Sequence, residues 1–186
     1  MKFLIAGLGN IGPEYELTRH NIGFLTLDRI ADLEKLDFAI GRLAYRAEWK
    51  YKGKTIILIK PTTYMNLSGK AVNYWLKEEK IQQENLLVVT DDIALPFGKL
   101  RMRGKGSNAG HNGLGNIDEV LGNQQYARLR FGVGGDFPRG KQVDYVLGQF
   151  PAGELAELPI YMDKAAEMIK GFCTIGIDRT MSQFNS

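Results

Sequence analysis

The chain has 186 residues, with 24 Lys+Arg against 21 Asp+Glu for a formal charge of +3, and 44% of its residues are hydrophobic. That balance excludes a disordered charged tail and predicts one domain, residues 1–186, with enough apolar content for a sizeable core. A single cysteine, Cys173, excludes an internal disulfide and a cysteine-built zinc site, and no apolar run approaches the ~18 residues of a membrane helix.

Residues 2–8 form an apolar run interrupted by glycine, the pattern of a buried strand. The run is too short for a signal-peptide core, so the expected compartment is the cytoplasm. Phe24, Leu27, Ile30, Ala31 and Glu34 then follow a helical period, with Asp28, Asp32 and Lys35 turned outward. Residues 44–51 and 55–60 flank Lys52-Gly53-Lys54 as a hairpin. Pro61 ends that strand, and Ser68 is placed to cap a helix carrying Val72, Trp75 and Leu76. Residues 86–90 make a second buried strand running into Asp91-Asp92, and residues 99–103 another.

A glycine-rich loop and a short helix at about 114–121 come next, followed by expected strands at 127–132 and 142–147. Pro151 opens a long amphipathic helix through Leu155, Leu158, Met162, Ala165, Ala166 and Ile169. The tail after Gly176 is expected to fray or pack loosely. Hairpins mixed with strand–helix–strand units predict an α/β fold: a single-domain mixed β-sheet flanked by helices on both faces, a three-layer sandwich.

Glycine is over-used, 22 of 186 residues against a usual ~7%. The first cluster, Gly7-x-Gly9-x-x-Gly12 after a strand, matches the dinucleotide fingerprint letter for letter. In that fold a helix starts inside the fingerprint and holds the pyrophosphate, whereas here Pro13 follows Gly12 and the polar Thr18-Arg19-His20-Asn21 precedes any helical period. The acid expected about 20 residues on is missing as well. The loop is better read as a carrier of Asn10.

Both histidines precede an asparagine: His20-Asn21 and His111-Asn112. A lone histidine is usually structural, but His20 lies in a polar run soon after a strand end, where open α/β sheets bind ligands. Histidine is the residue type suited to taking a proton near neutral pH. Asp91 ends another strand at the same kind of edge, placed to hold an imidazole tautomer; alone, it reads equally well as a turn or cap. No Gly-x-Ser-x-Gly elbow appears and Cys173 has no histidine nearby, so a His–Asp pair without a nucleophile points to activation of water. Two histidines without clustered carboxylates point away from a metal, and no cofactor is implied. Asn10, Asn66 and Asn112 are neutral donors for a carbonyl oxygen or substrate amides.

Lys99, Arg101, Arg103 and Lys105 alternate with Leu100 and Met102, and Arg128 and Arg130 alternate with Leu129 and Phe131. On strands, each series puts its charges on one face. Such stripes are commonly solvated surfaces. Beside glycine loops they also suit a phosphate-bearing partner. The acidic helix with Glu154, Glu157, Asp163 and Glu167 balances the total charge.

Gly7-Leu-Gly-Asn-Ile-Gly12, Tyr15, Thr18-Arg-His-Asn-Ile-Gly23, Pro61-Thr-Thr-Tyr-Met-Asn-Leu-Ser-Gly69, Gly110-His-Asn-Gly-Leu114 and Arg128-Leu-Arg-Phe-Gly-Val-Gly134 resemble the motifs of bacterial-type peptidyl-tRNA hydrolases, in order over nearly the whole chain. The resemblance implies a monomeric hydrolase that cleaves peptidyl-tRNA and recycles tRNA for translation, with no cofactor and no membrane partner. Carried over, it makes His20 the general base, Asp91 its partner and Asn10 the group that positions or polarises the ester. Tyr15, Met65, Asn66, His111 and Asn112 would contact substrate, and Arg103, Lys105 and Arg130 would clamp tRNA phosphate. The chain departs from the family at Ile11, usually proline, and at Ala94, often an acid. Three other readings stand beside this one: a catalytically lapsed RNA-binding or splicing-factor relative, a bare tRNA-binding module and a nicotinamide oxidoreductase.

Overall fold

The computed structural model describes residues 1–185. Apolar strands gather into a seven-stranded sheet: β1 (Lys2–Gly7), β2 (Ala39–Ile40), β3 (Ala44–Tyr51), β4 (Lys54–Pro61), β5 (Leu86–Asp92), β6 (Leu100–Arg103) and β7 (Ala127–Gly132). Their spatial order is β2-β3-β4-β1-β5-β7-β6. The four central strands are parallel, β3 runs antiparallel between β4 and the short β2, and the far edge β6 runs antiparallel to β7.

Alternation along the strands builds two cores. Phe3 and Ile5 of β1, Ile56 and Leu58 of β4, and Leu87 and Val89 of β5 face α1 (Ile22–Glu34) and the long α5 (Ala152–Thr174). Leu4 and Ala6, Ile57 and Ile59, and Leu86 and Val88 face α2 (Ser68–Glu78) and α3 (Asn112–Leu121). The three-layer sandwich follows from strands that are apolar on both faces. Among the described residues, no helix is long and apolar enough to cross a membrane.

The chain leaves β1 for α1 on one face of the sheet and leaves the adjacent β4 for α2 on the other. Ligands of open α/β sheets bind at such a switch, beyond the carboxyl ends of the strands. Two 3-10 turns, Pro13–Tyr15 and Arg19–Asn21, separate β1 from α1. No helix therefore starts within the glycine fingerprint, and the nicotinamide reading loses its geometry.

Gly23 brings α1 against this edge. A Cβ there would lie 2.3 Å from the Leu8 backbone nitrogen and 2.6 Å from the Val89 carbonyl oxygen, two atoms joined by a 3.1 Å hydrogen bond between strand ends. Backbone on both sides cannot yield cheaply, so Gly23→Ala should cost about 3 kcal/mol, the upper part of the usual overpacking range. Urea unfolding should read this as a lower midpoint with an unchanged slope.

Three expectations are corrected. Residues 142–147 are not a strand: α4 (Gln142–Val146) is a short helix, and Val143, Val146 and Leu147 follow an i, i+3, i+4 spacing rather than alternation. Ser68 does not cap α2; Leu67 holds the cap position, and the Ser68 hydroxyl donates to the Met65 carbonyl at 2.7 Å. The described part of the tail does not fray, for α6 (Ile177–Phe184) packs beside β6. The Asn185 amide then accepts from the Met102 N–H and donates to the Met102 carbonyl, each at 2.9 Å. One side chain thus stands in for a neighbouring strand at that edge.

Candidate active site

The 3-10 turn after β1 presents His20, and the carboxyl end of β5 presents Asp91. His20 Nδ1 lies 2.8 Å from Asp91 Oδ2, and both residues are buried. A carboxylate can only accept here, so the Nδ1 proton is donated to Asp91 and Nε2 keeps the lone pair of a base.

His111 occupies the other side of the same carboxylate. Its Nε2 is 2.8 Å from Asp91 Oδ1 and equally close to Thr90 Oγ1. Its Nδ1 accepts the backbone N–H groups of Gly113 and Leu114 at 3.1 and 3.2 Å, capping α3. An imidazole that accepts at Nδ1 must carry its proton at Nε2. His111 is therefore a neutral donor to Asp91.

Burial alone would raise the Asp91 carboxyl. The imidazoles of His111 and His20 more than reverse this and hold it well below the ordinary carboxylate range. His20, Asp91 and His111 also bring three potential metal-ligand atoms within 4.8 Å of one another. The locked tautomer argues against their use as a metal site, because His111 Nε2 has no lone pair to give.

Asn10 is held at three points. Its backbone N–H donates to Asn21 Oδ1 and its carbonyl accepts from Asn21 Nδ2, both at 2.8 Å. Its own Oδ1 accepts the Met65 N–H at 2.7 Å, bridging the loops that follow β1 and β4. With Oδ1 engaged, Nδ2 is the end of the amide left to donate. Asn21 was missed in the sequence because a backbone clamp eleven residues away leaves no periodic signal.

His20, Asp91, His111, Asn112 and Arg130 line one cavity of about 230 Å³. Asn66, His111 and Asn112 line a neighbouring one of about 430 Å³, and Asn66 and Asn112 are exposed. Met65 is buried beneath, whereas Tyr15 is half-buried at the end of the Pro13–Tyr15 turn. The loop around α4 is tied to the histidine segment: the Arg19 guanidinium lies 3.9 Å from the Tyr145 ring centroid and donates to the Tyr145 carbonyl at 2.9 Å.

The basic stripes are only partly a surface. Arg103 and Lys105 are exposed. Arg130 is half-buried, donating to the Ser107 carbonyl at 2.8 Å and approaching Asp92 Oδ2 at 3.5 Å. Arg128 leaves the stripe altogether: it is fully buried, 4.2 Å over the Tyr126 ring, and donates to the Gln124 and Tyr126 carbonyls. Burial lowers its pKa from the ordinary guanidinium value. Alternation placed Arg128 on one face of β7, but α3 and its following loop cover that position.

Comparison with known proteins follows the same lines. The family model described as Peptidyl-tRNA hydrolase matches residues 4–186. A peptidyl-tRNA hydrolase of Cytophaga hutchinsonii is 58% identical over 186 residues, covering 100% of this chain and 99% of the relative. One of Bacteroides fragilis is 55% identical over 185 residues, with the same coverage. The crystal structure of peptidyl-tRNA hydrolase from Acinetobacter baumannii superposes with a TM-score of 0.92 at 31% identity, covering 99% of this chain and 94% of that one.

Proposed function

The chain belongs to the peptidyl-tRNA hydrolase family, and we propose that it hydrolyses the ester between a peptide, or an N-blocked amino acid, and the 3′-terminal ribose of tRNA, so that the tRNA is recycled. The observation that carries this reading is the His20 Nδ1–Asp91 bond; Asn10, clamped by Asn21 next to His20 in the chain, has its Oδ1 engaged and its Nδ2 left to donate. His20 Nε2 takes a proton from water as the water oxygen attacks the ester carbonyl carbon. Asn10 Nδ2 donates to the oxyanion that develops. When the intermediate collapses, the carbon–oxygen bond to ribose breaks and His20 returns its proton to the ribose oxygen, leaving a peptide carboxyl and free tRNA.

Asn66 and Asn112 hold the peptide backbone or the terminal nucleotide, and Tyr15 and Met65 contact the substrate as well. Arg103, Lys105 and Arg130 form the phosphate clamp for the acceptor end. The working form is a cytoplasmic monomer. Its support is that β2 is two residues long and Asn185 occupies the β6 edge, so neither sheet edge offers a long strand to a second copy. A lapsed RNA-binding relative would have no use for a locked tautomer on a buried carboxylate.

Purified protein should release tRNA from N-acetyl-aminoacyl-tRNA; tight tRNA binding without release would favour a binding module instead. Arg103→Ala should weaken tRNA binding and lower the slope of log affinity against log salt by about one unit, with turnover of bound substrate unchanged. Salt titration of tRNA binding checks it.

A further inference from the structure

Asn10 has a second neighbourhood, on the side of the switch point away from the arginines. A cavity of about 410 Å³, within the ~300–1,000 Å³ range of small-ligand sites, runs from Asn10 past Glu16 to Phe24 and Asp28 of α1 and to Tyr45 and Lys60 of the β3–β4 hairpin. We propose that this cavity seats the peptide residues upstream of the ester, with Lys60 donating to a peptide carbonyl. The inference rests on the hydrolase reading and assigns the acyl side of its substrate.

Lys60 Nζ donates to Asp28 Oδ1 at 2.6 Å, its only hydrogen bond among the described residues. An ammonium has three donors, so two remain. The rings of Phe38, Tyr45 and Phe24, with centroids 4.4, 5.5 and 5.8 Å away, surround the ammonium with apolar walls. The Lys60 side chain is only 15% exposed. Its unused donors thus face a confined space where carbonyl acceptors would be worth more than in open water.

Charge separates the peptide from the nucleic acid. Glu16 and Asp28 leave the cavity lining with two carboxylates against one ammonium, which repels phosphodiester but suits a backbone that brings both N–H and C=O groups. The sheet order reinforces the assignment, because Arg103 and Arg130 lie on β6 and β7, beyond β5, while Tyr45 and Lys60 lie on β3 and β4, beyond β1. A substrate whose tRNA lies over the first pair and whose ester lies between His20 and Asn10 extends its peptide toward the second. Ile11, one of the family departures, also lines this cavity.

The test compares kcat/KM for tripeptidyl-tRNA and N-acetyl-aminoacyl-tRNA. The native chain should favour the longer substrate by about tenfold, the worth of one charge-assisted hydrogen bond, and Lys60→Met should bring that ratio close to one. A native chain without the preference, or a folded Lys60→Met protein that keeps it, overturns the proposal. A second measurement needs neither a variant nor turnover. Titrating N-acetyl-trialanine into the native protein should shift the amide resonances of Tyr45 and Lys60, whereas shifts confined to residues 92–94 and 142–146 would overturn the seat. If those two amides shift while both tRNA substrates remain intact, the hydrolase reading fails and the peptide seat stands. Intact substrates with no shift overturn both.

Discussion

His20→Gln is expected to reduce the rate of tRNA release about 10²–10⁴-fold while leaving tRNA affinity near the native value. In the proposed mechanism the base nitrogen is Nε2, because Nδ1 donates to Asp91. Glutamine can still donate an amide proton to that carboxylate, so the buried pair stays satisfied and the fold should hold. It cannot take a proton from water near neutral pH. The loss should therefore fall on turnover, and single-turnover release beside a binding titration separates the two. An equal fall in affinity would instead make His20 a binding group.

Asp91→Asn should cost about as much, and its reason lies on the far side of the carboxylate. Where a carboxylate-to-amide change has imposed the wrong histidine tautomer in serine proteases, the cost has been about 10⁴-fold. Here the amide has one oxygen and one NH2 to offer to two imidazoles. His111 Nε2 must donate, because its Nδ1 is occupied by the Gly113 and Leu114 N–H groups. The amide oxygen therefore turns to His111 and the NH2 to His20 Nδ1, which moves the His20 proton to Nε2 and removes the base.

The same logic predicts coupling between the two sites. In an Asp91→Asn/His111→Leu protein the amide is free to turn its oxygen to His20, so turnover should recover about tenfold over Asp91→Asn alone. Loss of the α3 cap in that variant should cost about 1 kcal/mol of stability. Strictly additive losses in turnover would show that His111 does not set the polarity of Asp91.

Stability should carry a related signature. The folded Asp91 carboxyl is held below its ordinary value. Its contribution is present above the unfolded carboxylate value of about 3.9 and is lost as pH falls through the lower folded value. Urea midpoints of the native and Asp91→Asn proteins should thus differ at neutral pH and converge under strong acid.

The two-sided apolar runs at 2–8 and 86–90 made the central strands legible, and the polar run before α1 marked His20. The His20–Asp91 pair was legible because His20 follows one buried strand and Asp91 lies at the carboxyl end of another. His111 was not legible as Asp91's second partner, since its role depends on α3 starting one residue later and turning two N–H groups onto Nδ1. Arg128 was misjudged because alternation gives the face of a strand but not what covers that face. Short segments were the hardest, as α4 spans five residues and its spacing competes with alternation.

The central claim is that His20, held by Asp91, activates water without help from a metal. Its most direct measurement is single-turnover release of tRNA from N-acetyl-aminoacyl-tRNA in EDTA, with native, His20→Gln and Asp91→Asn proteins compared at equal tRNA occupancy. Release by the native protein that survives EDTA and falls at least about 10²-fold in both variants is the predicted result. Release abolished by EDTA, or retained by either variant at the native rate, would contradict it.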